Sequence, residues 1–402
     1  MLTLPLALVL PTLVGLVHAQ DKDDHEGGTW PPHHNMGEAP AREALSKMGA
    51  TWSDGKSWQR RRDRIREHVA RELGLLPPPR KTDLNAVARG RVEQEGYAVS
   101  NVSFESFPGF FVTGNLYEPT GRDGPFPVVV APHGHKRRAE GNPEGRMQNA
   151  YQTLCATLAR MGAIVFTWDM VGWGENDQME HRVPDAGPIQ TWNTLRSIDF
   201  VTALACADAT RVAATGSSGG GTQTFLAALL DDRIRASAPV VMVSAHWFGG
   251  CECESGLPIH QGEDLRTNNV EFAACAAPRP QLLVSVGGDW TRNTPRVEYP
   301  YLQRVYETYG MGGRVRNAHF QDEEHDYGPS KRAAVYEFLA DELGLDIESV
   351  RASDGAVDES AVGILPREKL VVFTTEHPRP DRALKGTRAV TAAFRSLPRR
   401  IQ

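Results

Sequence analysis

The sequence carries no excess of positive charge: 44 Lys and Arg stand against 50 Asp and Glu, for a formal net charge of −6 over 402 residues. A nucleic-acid binder needs a basic stripe or patch, and the chain does not offer one. Cysteine is scarce, with five residues at 155, 206, 251, 253 and 275, far below the density of a disulfide scaffold. There is no Gly-X-Y period, heptad run or internal repeat, which excludes fibrous and repeat architectures. Long apolar runs are also missing, apart from one at the N-terminus. Met1 to Ala19 contains no Asp, Glu, Lys or Arg, ends in the small-x-small pattern Val17-His18-Ala19, and is followed by Gln20-Asp21-Lys22-Asp23-Asp24. The run is short of the ~20 residues a membrane span needs and is interrupted by Pro5 and Pro11. Residues 1–19 are therefore expected to be a signal peptide, the mature protein to be secreted or periplasmic, and no membrane association to remain after its removal. With 40% apolar and 23% charged residues, what is left is an ordinary globular chain.

In an oxidising compartment some cysteines should pair, and five leave at least one free. Bridging Cys251 or Cys253 to Cys275 would staple the intervening loop, and the sequence does not choose between them. Cys251-x-Cys253 has no second pair at metal-ligand spacing, and His133 and His135, with His25, His33 and His34, have no third ligand at compatible spacing. No metal and no cofactor are expected.

Residues 20–40 read as a linker. Trp58, Ile65, Val69 and Leu73 fall at helical spacing within 41–76, and Pro77-Pro78-Pro79 ends that helical stretch, so residues 20–84 form a linker and helical extension. Residues 97–104 and 111–117 read as paired strands broken at Pro108-Gly109. Apolar strands and helices then alternate: strands at 127–131, 163–168, 211–215, 237–243, 282–286 and, more weakly, 313–320, with helices near 148–161, 191–204, 222–230 and 331–343. Strands buried on both faces between helices imply a mostly parallel sheet, with its ligand crevice outside the strands' carboxyl ends. One catalytic domain at 85–345 and an extension at 346–402 complete the chain.

The sharpest local signal is the strand Arg211–Thr215 running into Gly216-Ser217-Ser218-Gly219-Gly220 and then a helix. Gly-x-Ser-x-Gly between strand and helix places a serine on a strained turn, with glycines where a Cβ would clash. A serine is a weak nucleophile at neutral pH and needs a base oriented by an acid, which on such a scaffold follow in the order Ser, acid, His. Asp289 follows the 282–286 strand in Val286-Gly287-Gly288-Asp289, and His325 lies past the last strand; Glu252 and Glu254 are the competing acids. His319, inside the strand pattern, reads as structural. The oxyanion hole should take one N–H from Gly219 and another from the loop Pro132-His133-Gly134-His135, at Gly134 or His135.

His133-Gly134-His135, Asp169-Met170-Val171-Gly172-Trp173-Gly174, the elbow through Thr224, Gly249-Gly250-Cys251-x-Cys253-Glu254 and Gly288-Asp289-Trp290-Thr291 together resemble exported bacterial α/β-hydrolases of the acetyl xylan esterase-like group, distant relatives of glucuronoyl and pectin methyl esterases. The resemblance spans residues 40–345. It implies an α/β-hydrolase fold and carboxylic ester hydrolysis on polysaccharides through Ser218, Asp289 and His325. A carbohydrate ester is the expected partner, acetyl esters of xylan first and methyl esters of uronic acids as the alternative. A non-catalytic carbohydrate-binding protein on the same fold is the remaining reading. Glucuronoyl esterases carry a cationic residue after the nucleophile, and this chain has Gly219 there. Trp173 and Trp290 are expected to contact sugar, with Trp192 and Trp247 near the same edge; Arg196 could meet a uronate carboxylate, and Asp169 reads equally as a loop cap.

Overall fold

The computed structural model describes residues 36–135, 144–255 and 258–399. The leader, its cleavage site and the N-terminal histidines lie outside the described residues. In chain order the elements are α1 (Glu38–Gly49), α2 (Gly55–Glu72), β1 (Val87–Gln94), β2 (Tyr97–Phe107), β3 (Phe110–Pro119), β4 (Phe126–Val130), α3 (Asn149–Arg160), β5 (Ile164–Trp168), α4 (Ala186–Thr202), β6 (Ala207–Ser217), α5 (Gly219–Leu230), β7 (Ile234–Val240), α6 (Glu252–Ser255), α7 (Asn269–Ala274), β8 (Gln281–Val286), α8 (Glu298–Glu307), β9 (Val315–Phe320), α9 (Pro329–Leu343), α10 (Arg367–Leu370) and α11 (Thr387–Arg395).

The strands form one nine-stranded sheet in the order β1-β2-β3-β5-β4-β6-β7-β8-β9. The β1–β2, β2–β3 and β3–β5 pairs are antiparallel, and all pairs from β5 through β9 are parallel. Alternation within each central strand divides the core in two. Val129, Val165 and Ala213 pack with α3 and α9 residues such as Leu154, Leu158, Val335 and Leu339. Their neighbours Val128, Val130, Phe166, Val212 and Ala214 pack with Ile198 and Val201 of α4 and Ala227 and Ala228 of α5. Both faces are therefore buried, which is why these strands read as unbroken apolar runs.

Local chemistry sets the ends of several helices. Asp54 caps α2 by accepting from the Ser57 N–H at 2.7 Å, and Ser57 Oγ accepts from the Asp54 N–H in return. Gly344 ends α9 in the left-handed region at φ 68°. The α2 helix buries Trp58, Ile65 and Val69, and its Arg61 clasps the buried carboxylate of Glu271 on α7 at 2.6 Å. The segment expected as an extension is thus docked on the body.

The strand β1 escaped the sequence reading because its side chains are mostly exposed and follow no apolar alternation; it is a charged edge strand with an irregularity between Arg89 and Val92. The C-terminal segment, left unexplained by the sequence, is packed. Leu370 and Val390 are fully buried and Phe394 nearly so, its ring tilted against Phe107 at a centroid distance of 5.5 Å. Arg382 pairs with Glu105 at 3.0 Å.

Candidate active site

The chemistry-bearing residues collect at the carboxyl ends of β4, β6, β8 and β9. Ser218 sits between β6 and α5 at φ 55°, a positive value that a non-glycine residue rarely adopts. The turn is held by Ser218 N–H donating to Val240 O at 3.0 Å and by the start of α5, where Thr222 N–H donates to Ser218 O at 3.0 Å. A Cβ at Gly216 or Gly220 would run into Pro132 O, so the glycines let the elbow press against the β4 loop. Gly219 opens α5, among the N–H groups that have no partner within a helix.

Asp289 follows β8 and is buried; its Oδ1 accepts from the Thr291 N–H and hydroxyl at 2.6 and 2.5 Å. That fixes the carboxylate and leaves Oδ2 to meet His325 Nδ1 at 2.7 Å across 36 residues. Donating its Nδ1–H to that carboxylate leaves His325 with Nε2 as the basic nitrogen. The competing acid Glu254 lies elsewhere: Oε2 accepts from the Gly250 N–H at 2.7 Å, and Oε1 faces His135 Nδ1 at 4.0 Å. The side chain of Glu252 lies outside the described residues. His319 bonds Ser285 Oγ at 2.8 Å and Gln321 Oε1 at 3.2 Å, away from His325.

The loop after β4 is tied to the elbow by one hydroxyl that sequence reasoning missed. Tyr151 Oη accepts from the N–H groups of Ser217 and Gly134 at 2.9 and 3.1 Å and donates to Pro132 O at 3.0 Å. Gly134 therefore serves the site differently from the expectation. Its N–H is turned to Tyr151 instead of toward a substrate, and a Cβ there would lie 2.8 Å from Ser217 O and 3.2 Å from Ser218 Cβ. Nothing in the sequence around Tyr151 signals this role. His133 is fully buried, donating from Nδ1 to Gly134 O at 2.9 Å and accepting the Met170 N–H at Nε2 at 3.0 Å. Burial holds its pKa down at about 4, so the ring is neutral and structural.

The aromatic residues divide. Trp290 is half-buried with its ring centroid 4.4 Å from that of His325, and the half-buried Trp247 lies 5.3 Å from Trp290. Trp173 is 4% exposed and packs at 5.2 Å on His135 and 5.6 Å on His181, so its ring is spent on imidazoles and does not face a substrate. Trp192 is buried in α4, donating to Ser106 O at 3.2 Å. Arg196 is buried too and paired with Asp199 at 2.7 Å, which removes it as a uronate ligand. Asp169 is a loop cap: fully buried, it accepts from Thr113 Oγ1 at 3.0 Å and the Glu175 N–H at 2.9 Å, and it pairs with Arg146.

The cysteines depart furthest from expectation. Cys275 is buried and free, and Cys251 is joined to Cys253 instead. The third ligand that sequence spacing failed to supply is brought in by the fold. His135, His181, Cys251 and Cys253 place one donor atom each within 4.8 Å of one another.

Neither a family model nor a curated protein matches the sequence. Among solved structures, one named methylesterase BT1017 is similar at 36% identity and TM-score 0.82, covering 90% of this chain and 80% of its own. The chain belongs to this family, within the acetyl xylan esterase-like α/β-hydrolases. It is a carboxylic ester hydrolase. A glucuronoyl esterase from Solibacter usitatus shares the fold at 16% identity and TM-score 0.53, covering 71% of this chain and 93% of its own. A Bacteroides fragilis protein provisionally named acetyl xylan esterase does so at 14% identity and TM-score 0.54, covering 83% and 89%. The nine-stranded, mostly parallel sheet described above is that of the α/β-hydrolase fold.

Proposed function

We propose that this hydrolase cleaves methyl esters of sugar acids in plant polysaccharides through a Ser218–His325–Asp289 triad. The observation that carries the triad is the 2.7 Å contact between His325 Nδ1 and Asp289 Oδ2, at the sheet edge that also presents the Ser218 elbow. Ser218 Oγ attacks the ester carbonyl while His325 Nε2 takes its proton, and Asp289 holds the ring and its developing charge. The N–H of Gly219 and the β4 loop at His135 steady the oxyanion. The proton passes from His325 to the departing methoxide, methanol leaves, and the sugar acid remains esterified to Ser218. Water, deprotonated by His325, then frees the carboxylate and restores the serine.

The similarity to a methylesterase at 36% identity favours the methyl ester over the xylan acetyl ester. The half-buried Trp247–Trp290 pair beside His325 supports a sugar ring as the neighbour of the scissile bond. The apolar run Met1–Ala19 supports export to the compartment where such polymers are met.

A pectin bearing both methyl and acetyl esters separates the readings, because one releases methanol and the other acetate. Methanol release with a fluorophosphonate label lost in Ser218→Ala is the expected result. Acetate alone would return the substrate to the acetyl class, and release of neither product would overturn both assignments of the ester.

A further inference from the structure

Three loops that are distant in sequence meet beside the nucleophile. His135 lies just past β4, His181 between β5 and α4, and Cys251 and Cys253 at α6. His135 Nε2 stands 2.9 Å from His181 Nε2, 3.3 Å from Cys253 Sγ and 3.8 Å from Cys251 Sγ; His181 Nε2 stands 3.3 Å from Cys251 Sγ. For a tetrahedral zinc ion with Zn–N near 2.0–2.1 Å and Zn–S near 2.3 Å, the edges between ligands are about 3.3 Å for two nitrogens and about 3.6 Å for nitrogen and sulfur. The four donors already span such a tetrahedron, except that the two sulfurs are drawn together as a disulfide.

The hydrogen atoms make the case stronger than the distances. His181 Nδ1 lies 2.6 Å from Val171 O, and a carbonyl only accepts, so Nδ1 carries the proton and Nε2 presents a lone pair to the cluster. His135 turns Nδ1 toward the Glu254 carboxylate and its Nε2 toward the same point. For His181, an Nδ1–H held by a backbone carbonyl with Nε2 turned into the cluster is the outer-shell arrangement of a metal-ligating histidine. Cys251 and Cys253 are 5% and 2% exposed, and Trp173 packs on both imidazoles, so water is largely kept from the cluster. Once reduced, the pair would supply two thiolates, and two thiolates with two imidazoles form a set suited to zinc.

We propose that His135, His181, Cys251 and Cys253 form a zinc site that clamps these three loops against the nucleophile elbow. All four positions are filled by protein, which makes the site structural and leaves no place for a metal-bound water. Its reach to the active site is short: a Cβ at Gly219 would lie 2.8 Å from His135 Cε1, so the metal would hold the wall beside the residue that follows Ser218.

The test is metal stoichiometry, read without substrate and so separable from the esterase reading. Full-length protein without a polyhistidine tag is reduced, supplied with Zn(II), desalted and assayed by elemental mass spectrometry. One zinc per chain is expected, falling at least tenfold in Cys251→Ser/Cys253→Ser and in His181→Asn, and unchanged in Cys206→Ser. Co(II) loading of the wild type should give thiolate charge-transfer absorption and the intense visible bands of tetrahedral cobalt, a readout that does not depend on any variant folding. Reduced wild type that retains no zinc, zinc retained equally by the double variant, or a cobalt spectrum without thiolate bands would each overturn the proposal.

Discussion

At the scale of single residues, the site depends on how tightly Asp289 is held. Its Oδ1 is fixed by Thr291 and its Oδ2 by His325, so Asp289→Asn keeps the shape and spoils the base, because an amide can present an N–H where the imidazole needs an acceptor. A fall in kcat of about 10³–10⁴ is expected, with KM nearly unchanged. Glu254→Gln should lose far less if Asp289 is the acid, and steady-state kinetics on both variants decide between them. Gly219 is the second sensitive point, and it is buried. A methyl group there would press on His135 Cε1 at 2.8 Å and Glu254 Oε1 at 3.0 Å, so Gly219→Ala should displace the neighbouring wall and cut kcat by about 10–100-fold, as the loss of an aligned oxyanion donor would. The same crowding explains why a long cationic side chain does not follow the nucleophile here.

At the scale of elements, one helix residue and one strand loop act as a unit. Tyr151 of α3 holds two N–H groups of the elbow and the β4 loop with one oxygen. Tyr151→Phe strands both, and buried donors left without partners cost about 1–3 kcal/mol each. Equilibrium urea unfolding should show a loss of roughly 2–4 kcal/mol, and kcat should fall because Ser218 and the loop are no longer held together. Glu298, the first residue of α8, makes a different prediction. It is fully buried, its Oε1 accepts the Ala245 N–H at 2.9 Å, and burial raises its pKa to about 7. The folded state therefore holds a proton that the unfolded state releases above pH 4.5, and stability is lost as pH rises to about 7. Glu298→Gln lacks this term. Its stability relative to wild type should improve by roughly 3 kcal/mol between pH 4.5 and pH 8, measured by unfolding at both values.

The elements themselves were legible wherever burial wrote a period into the sequence. The strands β4 through β8 are apolar on both faces, and the elbow glycines stand where a Cβ has no room. The strand β1 was not legible, since exposed side chains are free to vary. Asp289 and His325 could be picked from their places after strands. The role of Tyr151 and the meeting of His135, His181, Cys251 and Cys253 could not, because the fold brings Tyr151 to Ser217 across 66 residues and His135 to His181 and Cys253 across 46 and 118.

At the scale of the molecule, the C-terminal segment is part of the body. Leu370 O accepts from Arg146 and Asn115 at 2.8 and 3.2 Å, and the N–H groups of Val372 and Phe373 donate to Glu175 at 2.9 and 3.0 Å. Removing residues from 366 onward would uncover Leu370, Val390 and Phe394 and leave the buried Arg146 short of a partner. The shortened chain is expected to be insoluble or to lose cooperative unfolding, whereas limited proteolysis of the full chain should leave residues 366–399 attached. Survival of a stable, active 1–365 fragment would contradict this role.

Arg146 also sets an order in time. Its guanidinium joins Asp169, at the end of β5, to a carbonyl more than two hundred residues later. During synthesis the charged pair formed with Asp169 and Glu175 waits, only partly satisfied, until residue 370 has been made. The nucleophile elbow draws its contacts from nearer segments, whereas the Arg146 loop gains its bond to Leu370 O only after residue 370 has been made. A ribosome-bound chain stalled before residue 370 is therefore expected to leave the Arg146 loop without that bond, which hydrogen exchange at the loop would read.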